Sequence, residues 1–242
     1  MNRKAFLIGS PMIKGDSDYL PGVTPDIVNM KNHLFSNKGG AWDNHEIVIF
    51  ENPSRDDLFS KIRGNYDFAI IQYSGHGFEH ENTGTTININ PYENVSLNEI
   101  HNLMDCPKRY YFIDCCRGIV PEEFRRSTKL FSAMESDDSR IRMAYKTKYK
   151  NILSSCEKGT SIIYSCGLNE SADEDDRGLG GIFSLGYFLS ANSIRNIPED
   201  KYYSIKNIFE LARERMKNDY PMTDQNPMMK PERRNRYFPF LI

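Results

Sequence analysis

The sequence predicts an open α/β sheet, mostly parallel and covered by helices on both faces. Short apolar runs of strand length alternate with helical patterns along the whole chain. The runs themselves are continuously apolar, as strands buried on both faces are. Residues 5–9 (AFLIG) form the first such run. A helix over 25–35 follows, with Ile27, Val28, Met30, Leu34 and Phe35 near helical spacing, Thr24 as N-cap and Pro25 as first helical residue. Residues 46–50 (EIVIF) are a second strand, and 55–63 a short helix carrying Leu58, Phe59 and Ile62 on one side. Residues 68–73 (FAIIQY) are a third strand. A small hairpin around 87–89 and a helix over 97–104 lead to a fourth strand, 109–113 (RYYFI). The interval 127–150 is polar and weakly periodic, and is expected to be a long exposed connection. Residues 161–164 (SIIY) are a fifth strand, 181–191 and 205–216 are helices, and 238–242 is expected to be a last edge strand.

Composition bounds the function. The chain has 242 residues, with 31 Lys and Arg against 33 Asp and Glu, a net charge of −2. Such a balance argues against a nucleic-acid-coating protein. Hydrophobic residues at 39% supply a packed core. No apolar run reaches membrane-spanning length, and the charged start resembles no export signal, so a cytoplasmic protein without membrane contact is expected. The 5 cysteines (Cys106, Cys115, Cys116, Cys156, Cys166) are odd in number and lack CxxC spacing, against both a disulfide framework and a zinc site.

In open α/β sheets, chemistry gathers beyond the carboxyl ends of the strands. The third strand ends in Ser74-Gly75-His76-Gly77 and the fourth in Asp114-Cys115-Cys116-Arg117-Gly118. If the two strands are neighbours, His76 and Cys116 emerge at one edge, about 5 Å of sheet apart. An imidazole beside a thiol takes its proton or stabilises the thiolate. The backbone N–H groups of Gly77 and Cys116 are the natural donors to an oxyanion over Cys116. A Cys-x5-Arg phosphatase loop is excluded, since Pro121 and Glu122 stand at the required positions. A serine elbow and a glycine-rich phosphate loop are also missing from the sequence.

These two motifs resemble the His and Cys motifs of caspases and metacaspases, in which a histidine precedes the nucleophile by about 50 residues. Here the gap is 116 − 76 = 40. Leu20-Pro21-Gly22 with Asp26, Tyr164-Ser165-Cys166-Gly167 and Gln225-Asn226-Pro227 extend the likeness over most of the chain. The resemblance implies a caspase-hemoglobinase three-layer sandwich with a mostly parallel six-stranded sheet. It divides the single domain into a large-subunit-like part (1–126), a linker (127–151) and a small-subunit-like part (152–242). It makes Cys116, in the third position of its motif, the nucleophile, and His76 its partner in a dyad. Caspases carry glutamine where this chain has Asp114, while metacaspases carry an aspartate that binds basic side chains. Asp26, Asp114, Ser165 and Asp173 are therefore expected to line a pocket for Arg or Lys at the residue before the cut bond. Arg140, Arg142, Lys146, Lys148 and Lys150 are candidate self-cleavage sites in the linker. The implied function is a cysteine endopeptidase with a protein substrate encoded nearby, for example a pore-forming or toxin precursor, in bacterial defence or cell death. Control is expected from a separate activator protein, a ligand or cleavage. No cofactor is implied; calcium activation, common in metacaspases, has no EF-hand loop behind it, and Glu122, Glu123, Asp137 and Asp138 are merely scattered acids. The alternative is a catalytically silent scaffold of the same fold.

Overall fold

The computed structural model describes residues 1–118, 139–231 and 233–242. Its centre is a six-stranded sheet of β1 (Arg3–Ser10), β2 (Ile47–Glu51), β3 (Phe68–Gly75), β4 (Lys108–Asp114), β5 (Gly159–Tyr164) and β6 (Met228–Lys230). The strand order is β6-β5-β4-β3-β1-β2. All pairs are parallel except β5 with β6. The helices are α1 (Val23–Phe35), α2 (Arg55–Ile62), α3 (Leu97–Asn102), α4 (Ser139–Ser154), α5 (Ile182–Ser193) and α6 (Ile205–Asp219).

Side chains alternate across a strand, so each continuous apolar run supplies two cores. Ala5 and Leu7, Phe68 and Ile70, Tyr110 and Phe112 turn to one face, under α1, α4, α5 and α6. Phe6 and Ile8, Ala69 and Ile71, Tyr111 and Ile113 turn to the other, under α2, α3 and a small antiparallel sheet of Gly77–His80, Gly84–Asn90 and Glu93–Ser96. The result is the three-layer α/β sandwich that the alternation predicts. Among the described residues no helix is long and apolar enough to cross a membrane.

The structure corrects three expectations. Residues 139–150, expected to continue an exposed connection, belong to the helix α4, in which Tyr149 and Leu153 are buried. The remaining linker positions up to 138 lie outside the described residues, as do Glu122, Glu123, Asp137 and Asp138. The C-terminal strand, Pro239–Leu241, does not extend the main sheet but pairs with Tyr203–Ser204; the sixth strand is Met228–Lys230. Three residues are too few to show a period of two. Finally, α1 is capped by Gly22, with no side-chain cap bond, and Thr24 and Pro25 lie within its first turn. Proline is tolerated there because first-turn N–H groups lack helical acceptors.

Candidate active site

The strand faces that carry the first core turn polar at the carboxyl ends. On β3 the series Phe68, Ile70 continues as Gln72 and Ser74; on β4, Tyr110 and Phe112 continue as Asp114. Ser74 and Asp114 are paired in register. His76 and Cys116 each lie two residues further on in the chain, just past the ends of these adjacent parallel strands.

The imidazole of His76 has an anchor that the sequence does not advertise. Its Nε2 lies 2.6 Å from the carbonyl oxygen of Asp18, in the loop after β1. A carbonyl only accepts, so Nε2 carries the hydrogen and Nδ1 is left with a free lone pair. The backbone beside the ring is held too: the His76 carbonyl accepts from the Tyr73 hydroxyl at 2.6 Å and from the Asn88 N–H at 3.0 Å. Burial pushes the Tyr73 phenol well above its ordinary pKa, so it stays a neutral donor.

Of the cysteines, Cys116 alone is not buried. Its Sγ accepts from the Ala172 N–H at 3.4 Å. Burial pushes the neighbouring Cys115 thiol far up, and Cys166 up to about 12, so neither forms a thiolate readily. Gly77 packs directly on Cys115: a Cβ there would stand 2.6 Å from its Sγ and 2.9 Å from the Thr86 carbonyl oxygen. The chain past Cys116 is stitched to its surroundings. The Arg117 N–H donates to the Glu170 carbonyl at 2.9 Å. The buried Arg117 guanidinium pairs with Glu79 at 3.1 Å and lies 4.0 Å from the Tyr164 ring centroid. The Glu79 N–H in turn donates to the Gly118 carbonyl at 3.1 Å, which ties the His76 strand extension to the Cys116 loop.

Beside these groups three carboxylates gather. Asp26, 1% exposed, accepts from the Ser74 hydroxyl at 2.7 Å and the Gly181 N–H at 3.2 Å. Asp114, 5% exposed, accepts from the Ser184 hydroxyl. Glu174 accepts from the Gly22 N–H at 2.9 Å. All three carboxyls are pushed above their ordinary values, by burial first; Asp114 adds repulsion to both Asp26 and Glu174. Among the described residues no ion pair compensates any of them. Three buried acids without a cation hold their protons more tightly than usual, and a cation placed among them would favour their charged forms.

One predicted member of this group sits elsewhere. Ser165, buried at the end of β5, stands beside Asp114, whose carboxyl its hydroxyl helps to hold down, and its carbonyl accepts from Gln225 Nε2 at 2.7 Å. Asp173 is not with the acids: its side chain is turned to Thr223, whose hydroxyl donates to it at 2.8 Å. Successive residues of an extended segment point to opposite sides, so Glu174 takes the inward place. Gln225 also accepts from the Asp173 N–H at 3.2 Å and fixes this segment to β5.

The candidate cleavage residues Arg140, Arg142, Lys146, Lys148 and Lys150 all belong to α4. Arg142 donates to the carbonyls of Phe35 at 2.8 Å and Trp42 at 2.9 Å, and Lys146 pairs with Asp43 and Glu46. A packed helix does not present the extended backbone a protease needs, which counts against these positions in the folded chain. Among the described residues no group of three or more His, Cys, Asp or Glu side chains is arranged to hold a metal ion.

Among solved structures, caspase-1 from Spodoptera frugiperda is similar, with a TM-score of 0.58 at 12% identity over 94% of this chain and 85% of that one. At that identity the likeness speaks for the fold. No curated protein matches the sequence. The caspase domain model, however, matches residues 2–239. The six-stranded sheet, the His and Cys motifs at its carboxyl edge and a family match over nearly the whole length lead to one conclusion: the chain belongs to the caspase domain family, a family of cysteine peptidases.

Proposed function

We propose that the protein is a cysteine endopeptidase that cuts protein chains after Arg or Lys, with His76 and Cys116 as its dyad. The observation that carries the reading is the uncompensated acid chamber of Asp26, Asp114 and Glu174 beside a thiol and an imidazole delivered by adjacent strand ends. A guanidinium or ammonium group entering the chamber supplies the missing charge.

The chemistry follows from the tautomer. His76 Nδ1 removes the Cys116 proton, and Asp18 stabilises the resulting imidazolium through Nε2–H. The thiolate attacks the scissile carbonyl, and the Gly77 and Cys116 N–H groups receive the oxyanion. The imidazolium returns its proton to the leaving amine, which departs and leaves a thioester. Water, deprotonated by the imidazole, then attacks the thioester; the acid product leaves and the Cys116 thiol is restored. The partner on this reading is a protein with an accessible basic residue.

The test offers the purified protein peptides that differ only in Arg, Lys or Asp before the cut bond. Cleavage after Arg and Lys, lost in Cys116→Ala and in His76→Ala, is the expected result. Preferred cleavage after Asp would overturn the specificity. No cleavage, together with no labelling of Cys116 by a thiol probe, would overturn the peptidase reading.

A further inference from the structure

The acid chamber is shut by the chain itself. Asp26 is 1% exposed and Asp114 5%, which leaves no room for a substrate side chain between them. The cover is the segment from Gly178 to Gly181, just before α5. The Gly181 N–H occupies Asp26, and α5's Ser184 hydroxyl occupies Asp114. The approach is so close that a side chain would have to push the carboxylates or the segment aside: a Cβ on Gly180 would lie 2.4 Å from Asp26 Oδ1, and one on Gly181 2.3 Å from Asp114 Oδ2. Gly180 also holds φ at 134°, a conformation other residues rarely adopt.

The cover is fastened from its outer side. The Asp175 N–H donates to the Gly180 carbonyl at 2.9 Å, and the Gly178 N–H to the Asp175 carbonyl at 2.8 Å, closing a compact turn. The Asp175 carboxylate is buried and accepts from Arg177 Nη2 at 2.9 Å and from the hydroxyl of Tyr220, at the end of α6. Tyr220 thus ties the outer side of the turn to the end of α6.

We propose that Gly178–Gly181 is a lid on the basic-residue pocket, latched by Asp175 and Tyr220 and displaced by the incoming Arg or Lys side chain. The inference rests on the peptidase reading above and concerns regulation of the same site. In the closed state the acids take neutral N–H and O–H donors from α5 and the lid. A guanidinium replaces these with charge-assisted, two-point bonds, whereas a neutral polar side chain brings no charge and an apolar or acidic one brings no donor for the lost ones. Opening is therefore driven by the cation, and the lid sharpens selectivity by induced fit.

Tyr220→Phe removes the latching hydroxyl and keeps the ring. Two readouts are taken on the intact protein: steady-state cleavage of an Arg peptide, and deuterium uptake at the amides of 178–181. The expected result is a several-fold rise in kcat/KM, mainly through a lower KM, with faster uptake at the lid and an unchanged rate of Cys116 alkylation by iodoacetamide. Gly180→Ala, which pushes the lid off Asp26 from within, is expected to speed uptake in the same way. Cleavage of basic peptides with kcat/KM and uptake unaltered in Tyr220→Phe would overturn the lid and leave the peptidase reading standing. Faster uptake with no cleavage of any peptide would support the lid and overturn the peptidase reading.

Discussion

A single backbone carbonyl sets which nitrogen of His76 is open to act in the proposed dyad. Because Asp18 oxygen takes the Nε2 hydrogen, the lone pair is on Nδ1, and no side chain at position 18 is needed for that. Asp18→Ala is therefore expected to leave activity within about threefold, whereas His76→Ala removes it. Cys115→Ala is expected to retain activity and Cys116→Ala to lose it, measured by peptide cleavage and thiol labelling. Removing one acid of the chamber, Asp26→Asn, should lower kcat/KM on Arg peptides about 100-fold, in keeping with the ~2–5 kcal/mol lost when a buried charge loses its partner. Its effect on stability has the opposite sign. Burial raises the Asp26 carboxyl in the folded state, so its contribution to stability is complete below the ordinary value of 3.8 and lost as pH rises through the raised one. Asp26→Asn should raise the melting temperature by a few degrees at about pH 8, and the gain should vanish toward pH 3; a gain that grew on acidification would contradict this. His76, Cys116 and the two aspartates were legible as residues, because motif chemistry resides in side chains. The Asp18 carbonyl was not, because every residue has one. Glu174 was hidden by its neighbour Asp173, since sequence does not say which of two adjacent acids points inward.

At the scale of elements, the strands were legible because burial on both faces demands continuous apolar runs, as in AFLIG and FAIIQY. The helix α4 was not. Its buried stripe is only Tyr149 and Leu153, and cations do much of the fastening, with Arg142 on the Phe35 and Trp42 carbonyls and Lys146 on Asp43 and Glu46. Such anchors lie far away in sequence and leave no periodic trace. Arg142→Ala strips two carbonyls of a charged donor and should cost about 1–3 kcal/mol in thermal or denaturant unfolding. Native proteolysis gives an independent check. Trypsin should spare Lys146, Lys148 and Lys150 until the molecule unfolds, and early cuts there would contradict a packed α4.

On the scale of the whole molecule, the parts before and after the linker share one sheet, joined by the parallel pairing of β4 with β5. They also share one aromatic core: Phe112 of β4 meets Phe183, Tyr187 and Phe188 of α5. Unfolding should therefore be one transition, seen alike by the fluorescence of the fully buried Trp42 and by far-UV circular dichroism. Phe112→Ala should lower stability by about 3–5 kcal/mol on both signals; two separate midpoints would argue for independent halves. The sequence by itself determined the alternation of strands and helices, the face each strand residue takes, and the two residue types at the sheet's carboxyl edge. Those follow from local periodicity and from chemistry that a side chain carries wherever it sits. Tertiary structure alone decided that Asp26 and Asp114 lie together, that Glu174 joins them, and that Gly180 and Gly181 pack against them. Those facts depend on which distant surfaces meet, and the grouping of acids is a property of the meeting, not of any one segment.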